Sequence, residues 1–273
     1  MLRLIAPVIA VPLGQPVIVD NRPSRYAREL GAKVAPDGYS FYQDGSALWL
    51  SPFLEKMPYD PVHDFAPITL AAQAPNVLVV HPATPAKSVS EFIALAKAKP
   101  GVLNYASAVS GSASHLGAEL FKSMAGVNIV RVPYQGNAPA LVGLMGGEAQ
   151  ILFASAGAVT PQLKSDKLRA LAVTSAQPSV LFPGLPAIAA SGLPGFEYVS
   201  SFGIFAPSKT PAAIITRMNQ EIVRALNVAD VKERMFRSGL EAVGSPPEVL
   251  AARVKSEMTS VGKVIKDAGI KPD

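Results

Sequence analysis

Short apolar runs of strand length alternate with segments of helical period along nearly the whole chain. That alternation restricts the fold more than any other feature. The strand-length runs are Val17–Asp20, Ser40–Gln43, Ile68–Ala71, Val77–His81, Leu103–Ala106, Ile129–Val132, Ile151–Phe153, Leu168–Val173 and Phe202–Ala206. Several are almost unbroken apolar stretches, the pattern of strands covered on both faces. The helices between them have defined starts. Ser88 stands three residues before Glu91, a capping box that opens a helix running to Pro100. Ser245, Pro246 and Glu248 supply an N-cap, a first-position proline and an acid at N3. One apolar stripe then follows through Leu250, Val254, Met258, Val261 and Ile265 to Gly269. Thr210 and Pro211 open another helix, with Ile214, Ile215, Met218, Ile222 and Leu226 inward. The pattern predicts an α/β fold with largely parallel sheets.

A chain of 273 residues, 49% hydrophobic and 16% charged, is long enough for one large domain or two of ordinary size. Charge suggests two. Between Lys99 and Glu119 only His115 ionises near neutral pH, and residues 132–147 carry no charge, whereas the chain from Lys209 onward is charged and helix-rich. We expect a central lobe of residues 82–201 inserted into a first lobe built from residues 1–81 and 202–273. The net charge of +5 is dispersed, and its densest groupings, Lys97/Lys99 and Lys164/Lys167/Arg169, lack interleaved aromatics. That argues against nucleic acid as a partner. The absence of cysteine excludes disulfides, thiolate nucleophiles and cysteine metal sites. The longest uncharged stretch, Ala170–Phe196, is broken by Pro178, Pro183, Pro186 and Pro194, so it is no membrane span. The first ten residues, MLRLIAPVIA, read as an amphipathic helix, not as an export signal.

A search for catalytic or cofactor motifs returns little. No G-x-S-x-G elbow, Walker loop or G-x-G-x-x-G occurs, and no cofactor is implied. His63, His81 and His115 are far apart in sequence. His115 and Glu119 share a helix face, but two ligands do not make a zinc site. Ser112 and Ser114 lie close to His115, so a hydrolase or transferase using a Ser/His pair stands as the alternative to a non-catalytic protein.

The informative segments are small-residue loops that run into helices. SAVSGSASH (107–115) offers four hydroxyls, a glycine and the unpaired N–H groups of a helix start, a combination suited to a carboxylate. Ser112 or Ser114 acting only as a helix cap fits the string equally well. VPYQGNAPA (132–140) follows with Tyr134 and Asn137, which either face a ligand or serve as a packed ring and a cap. DGSALW (44–49) carries the only tryptophan, as a pocket wall or as packing. All three follow predicted parallel strands, at the end where open α/β sheets bind ligands.

At these residues the sequence resembles the substrate-binding proteins of tripartite tricarboxylate transporters, the Bug/TctC family. The resemblance runs from about Leu13 to the C-terminus. It includes GQPVIVDNRP (14–23), APDGY (35–39), PYDP (58–61) with Asp64 and Phe65, and NVLVVHP (76–82). It continues with LNYAS (103–107), SHL (114–116) with ELF (119–121), VPY (132–134) with Gly136, Gly146 with Gly147, and KLRALAVTS (167–175). It implies a two-lobed, type 2 periplasmic-binding-protein fold with a hinged interlobe cleft. It also implies a monomeric, non-enzymatic, periplasmic carrier that presents a small organic acid to membrane permease subunits. By position, the family's ligand contacts fall on Ser46 in the first lobe. In the second they fall on Ser107, Ser110, Gly111, Ser112, His115, Tyr134, Gly136, Asn137 and Pro139.

Three departures accompany the resemblance. The chain starts inside the family's first helix, without the usual export signal, first strand and Pro-Gly-rich ligand loop. The Gly-rich turn after NRP is shortened to Ser24, Arg25 and Tyr26, and the often acidic position after Phe153 is Ala154. These lead to the expectation of a truncated member with impaired capture or an inactive remnant, with Arg22 or Arg25 as a compensating charge.

Overall fold

The computed structural model describes residues 1–271, with the side chains of Ser24 and Arg25 excepted. In chain order the elements are α1 (Leu2–Leu13), α2 (Ser24–Lys33), β1 (Tyr42–Gly45), α3 (Ala47–Leu50), β2 (Phe65–Val80), α4 (Val89–Ala98), β3 (Asn104–Ser107), α5 (Ala113–Ala125) and β4 (Val130–Pro133). They continue with α6 (Asn137–Met145), β5 (Ile151–Ser155), α7 (Ala156–Lys164), β6 (Arg169–Val173), β7 (Val199–Pro207), α8 (Ala212–Leu226), α9 (Ala229–Arg237), β8 (Glu241–Ala242) and α10 (Pro247–Asp267). The chain divides into two compact units. One comprises Met1–Gln73 and Ser201–Gly262; the other comprises Ala74–Ser200 and the segment from Lys263 onward. The strand β2 and the helix α10 each pass from one unit to the other, so the C-terminal turn of α10 groups with the central segment and not with the chain ends.

In the first unit the strand order is β1-β7-β2, with β8 on β2. The β1–β7 and β2–β8 pairings are both antiparallel, which corrects the expectation of parallel strands here. Helices α1, α8 and α9 close over a core that includes Ile5, Ile9, Ile68, Ile204, Met218, Ile222, Leu226 and Met235. Each such side chain contributes about 1.5–3 kcal/mol on burial. The run Val17–Asp20 belongs to no strand among the described residues; Ile18 is exposed and prolines stand at 16 and 23. The run Ile68–Ala71 and the run Val77–His81, apart from His81 itself, belong to the single strand β2.

The second unit is built on the strand order β6-β2-β5-β3-β4. Here β3 is parallel to both β4 and β5, and β2 runs opposite to β5 and β6. Four strands therefore point one way and β2 alone is reversed. Alternation along β2 sends Val77 and Val79 to one face, against Leu152, Ala154, Ala140 and Leu144, where α6 and α7 lie. The other face is aromatic: Phe121 of α5 packs on Phe153 and Phe196.

Local signals explain the helix ends. The Ser88 hydroxyl accepts the Glu91 N–H at 3.2 Å, while the Glu91 carboxylate takes the Lys87 N–H at 2.7 Å. At the last helix the cap differs from expectation. It begins at Pro247, and the Ser245 hydroxyl instead accepts the Leu70 N–H at 3.0 Å and donates to the Pro246 carbonyl. Ser245 thus satisfies a strand, and a second proline starts the helix. No helix of the described residues is long and apolar enough to cross a membrane.

Candidate ligand site

Strands β3, β4 and β5 end at one edge of the second unit's sheet, and each runs into a helix: α5, α6 and α7. Ser107 is in register with Pro133, and the Tyr134 N–H donates to the Ser107 carbonyl at 2.9 Å. The two connections are thereby fastened side by side. Ser107, Ser110, Gly111, Ser112 and His115 lie on one of them; Tyr134, Gly136, Asn137 and Pro139 lie on the other. Ser46 belongs to the first unit.

Much of the polar capacity of the β3–α5 loop is used to hold its own shape. The Ala108 N–H donates to the Ser114 hydroxyl at 3.0 Å. The Gly111 N–H donates to His115 Nδ1 at 3.2 Å, and Gly111 has φ +75°, a conformation costly for any residue with a Cβ. Because Nδ1 accepts, the neutral imidazole carries its proton on Nε2. The Ser112 hydroxyl caps α5 by accepting the His115 N–H and lies 3.2 Å from the Ser114 hydroxyl. With Nδ1 accepting from Gly111 and the proton on Nε2, the ring has no nitrogen left to accept a serine's proton, so this geometry does not favour the hydrolase alternative.

Ser107 is fully buried. Its hydroxyl donates to the Ala108 carbonyl at 3.0 Å and accepts from Arg131 Nε at 2.7 Å, and Arg131 also donates to the Ala108 carbonyl at 2.9 Å. Arg131 was not singled out by sequence reasoning. Its signal was there: it is the only charged residue between Lys122 and Glu148. Ser110 donates to the Lys271 carbonyl at 2.5 Å. Beside it a cavity of about 310 Å³ is lined by Ser110, His115, Glu119, Lys122, Arg131 and residues 268–271. Within it Glu119 accepts from Lys122 at 2.7 Å and from the Tyr105 hydroxyl. Burial and the neighbouring carboxylate push the Tyr105 phenol far above its ordinary range, so it stays a donor.

The other two helices begin differently. Gly136, at φ 143°, precedes α6 and Ser155 precedes α7, and neither helix has a side-chain cap. Their first-turn N–H groups face the sheet edge without an internal acceptor from a cap, the arrangement that favours an anion. Pro139 contributes none, having no N–H. The Tyr134 ring lies over Gly143, where a Cβ would sit 2.0 Å from its oxygen, and its hydroxyl donates to Glu148 at 2.7 Å. Burial and Glu148 raise this phenol to about 12.

In the first unit, the Ser46 hydroxyl accepts the Ser201 N–H at 3.2 Å at the start of α3. Glu257 of α10, 8% exposed, accepts from Trp49 Nε1 at 2.9 Å and from the Ser201 hydroxyl at 2.7 Å. Burial raises its pKa, opposed by hydrogen bonds from Ser201, Ser46 and Trp49. Trp49 is fully buried against Phe205, so it is packing and not a pocket wall. Glu257 escaped the sequence reading because it is a charged residue on the buried face of α10, three after Val254 and four before Val261, where Met258 was read as the inward residue. Arg22 pairs with Asp20 at 2.8 Å on the surface, and the Arg25 side chain lies outside the described residues. Among the described residues no three His, Asp or Glu are grouped to hold a metal.

Residues 1–270 match the model of the tripartite tricarboxylate transporter family receptor. The chain belongs to that family. Among solved structures it resembles Rpa4515 of R. palustris with adipate, at 36% identity and TM-score 0.76, covering 99% of this chain and 92% of that one. It resembles the periplasmic binding protein BugD at 30% identity and TM-score 0.72, with coverage of 98% and 92%. MatC from Rhodopseudomonas palustris with bound malate matches at 29% identity and TM-score 0.72, with coverage of 97% and 92%. The α/β periplasmic-binding-protein fold read from the sequence is therefore the fold of this receptor, and the family and its solved relatives are binding proteins.

Proposed function

We propose that the chain is a periplasmic solute-binding receptor that captures a small carboxylate, without catalysis, and delivers it to membrane permease subunits. The observation that carries this is the second unit's sheet edge. There a loop braced by Arg131 and the uncapped starts of α6 and α7 lie side by side, in a family whose solved relatives hold adipate and malate. Backbone N–H groups hold an anion without a fixed countercharge, because donors and helix dipoles point the same way. We assign ligand contacts to Ser107, Ser110, Gly111, Ser112, His115, Tyr134, Gly136, Asn137 and Pro139 of this unit. Within that set, Ser107, Ser112 and Gly111 act chiefly by shaping the loop, and His115 Nε2 and the helix-start amides act as donors.

Thermal unfolding with adipate, malate and the uncharged diamide of adipate tests the proposal. A ligand at a hundred times its Kd adds about 2.7 kcal/mol, a rise in Tm of about 5–10 °C for a chain of this size. We expect that rise with at least one dicarboxylate and none with the diamide. Equal shifts for acid and diamide, or none for any acid, would refute it.

A further inference from the structure

Asn76 lies at the start of the stretch of β2 that belongs to the second unit. Both its main-chain N–H and its carbonyl are held by Thr174. The N–H donates to the Thr174 hydroxyl at 2.8 Å, and the carbonyl accepts from the Thr174 N–H at 2.9 Å and from the same hydroxyl at 3.1 Å. Its side chain is not so held. The residue is only 4% exposed, and Nδ2 is buried without a hydrogen-bond partner among the described residues. A buried N–H with no acceptor weakens a fold, and such groups call for an explanation.

The sheet shows where this amide sits. Val77 and Val79 face α6 and α7, so Asn76, of opposite parity, faces α5. Its cross-strand partner is Ser155, and the next pair inward on that face is Leu78 with Phe153. Gly117 of α5 lies over Phe153, where an added Cβ would be 3.6 Å from that ring and 3.0 Å from Tyr198. One helical turn rises about 5.4 Å and two strand residues about 6.7 Å. The turn that begins α5, at Ala113 and Ser114, is therefore level with Asn76 and Ser155. Ser155 is exposed there, so the edge is open to a solute just beyond the buried amide.

We infer that Asn76 is a ligand-reading residue whose side-chain amide donates to an oxygen of the bound carboxylate beside the amino end of α5. The inference rests on the reading of the chain as a carboxylate receptor and adds to it a donor that tests for an acceptor atom, not for net charge. An apolar residue of the same size would not need the oxygen, and an acid there would repel it.

Isothermal titration of wild type, Asn76→Leu and Asn76→Asp with succinate, malate, glutarate and adipate tests this. The expected result is a Kd raised about 10- to 100-fold in Asn76→Leu and more in Asn76→Asp, with the unliganded Tm of Asn76→Leu no lower than wild type. A wild type that binds while folded Asn76→Leu binds within twofold as tightly overturns the assignment of Asn76 alone. A wild type that binds none of the four acids overturns the receptor reading and this inference with it. A readout that needs no folded variant is the Asn76 side-chain amide pair in the nitrogen–proton NMR spectrum. Saturating ligand should shift it, and an unmoved pair at saturation overturns the inference.

Discussion

Glu257 supplies the sharpest energetic test of the first unit. Its carboxyl is buried and accepts from Trp49 Nε1 at 2.9 Å and the Ser201 hydroxyl at 2.7 Å. Glu257→Leu removes the acceptor and strands two buried donors. At about 1–3 kcal/mol each, less the cost of burying a carboxylate that no longer exists, the net loss is about 2–4 kcal/mol. In a chain of this length that lowers Tm by roughly 4–16 °C. Glu257→Gln keeps one carbonyl acceptor and turns its NH₂ toward the other donor, a loss of about 1–3 kcal/mol. Burial raises the folded pKa above the ordinary carboxyl value of 4.5. The native state therefore holds this proton more tightly than the unfolded chain. The associated stability is complete below 4.5 and is lost as pH climbs through the raised value. The wild-type advantage over Glu257→Gln should accordingly shrink as pH rises from 4.5 in differential scanning calorimetry. A Glu257→Leu Tm within about 1 °C of wild type, or an advantage that grows as pH rises from 4.5, would refute the reasoning.

Two further predictions concern the second unit. Arg131→Met removes the guanidinium donors to the Ser107 hydroxyl and the Ala108 carbonyl and leaves only the weaker bond between those two groups. We expect a loss of about 1.5–3 kcal/mol in chemical denaturation and faster hydrogen exchange in the β3–α5 loop, and unchanged exchange there would count against the brace. Gly143→Ala improves helix propensity by about 1 kcal/mol, yet its Cβ would meet the Tyr134 oxygen at 2.0 Å. The ring must swing away from Glu148, so tyrosine absorbance titration should show one phenol falling from about 12 toward the ordinary range. An unchanged titration would show that the ring does not lie on α6.

The central strands of the second unit were legible because they are covered on both faces and leave unbroken apolar runs, as in Val77–Val80 and Ile151–Ala154. The first unit was harder. Its described pairings are antiparallel, and Val17–Asp20 has strand composition without a strand assignment, because an apolar run encodes burial and extension but not a neighbour. Loops entering helices at the second unit's edge could be read from glycine, serine and proline punctuation. The partners of their hydroxyls could not. Ser107 meets Arg131 across 24 positions and Trp49 meets Glu257 across 208, separations that only the fold brings together. Asn76 was visible within a family-like string, yet nothing in the string shows that its amide is buried and unpaired.

A crystal structure of the chain grown with saturating adipate or malate tests the central claim most directly. The account predicts a ligand carboxylate within about 3 Å of backbone N–H groups where α5, α6 and α7 begin. Its oxygen should be within reach of Asn76 Nδ2, and Ser107 should still be held by Arg131. A dicarboxylate bound elsewhere on the molecule, with those helix starts facing only solvent, would contradict it.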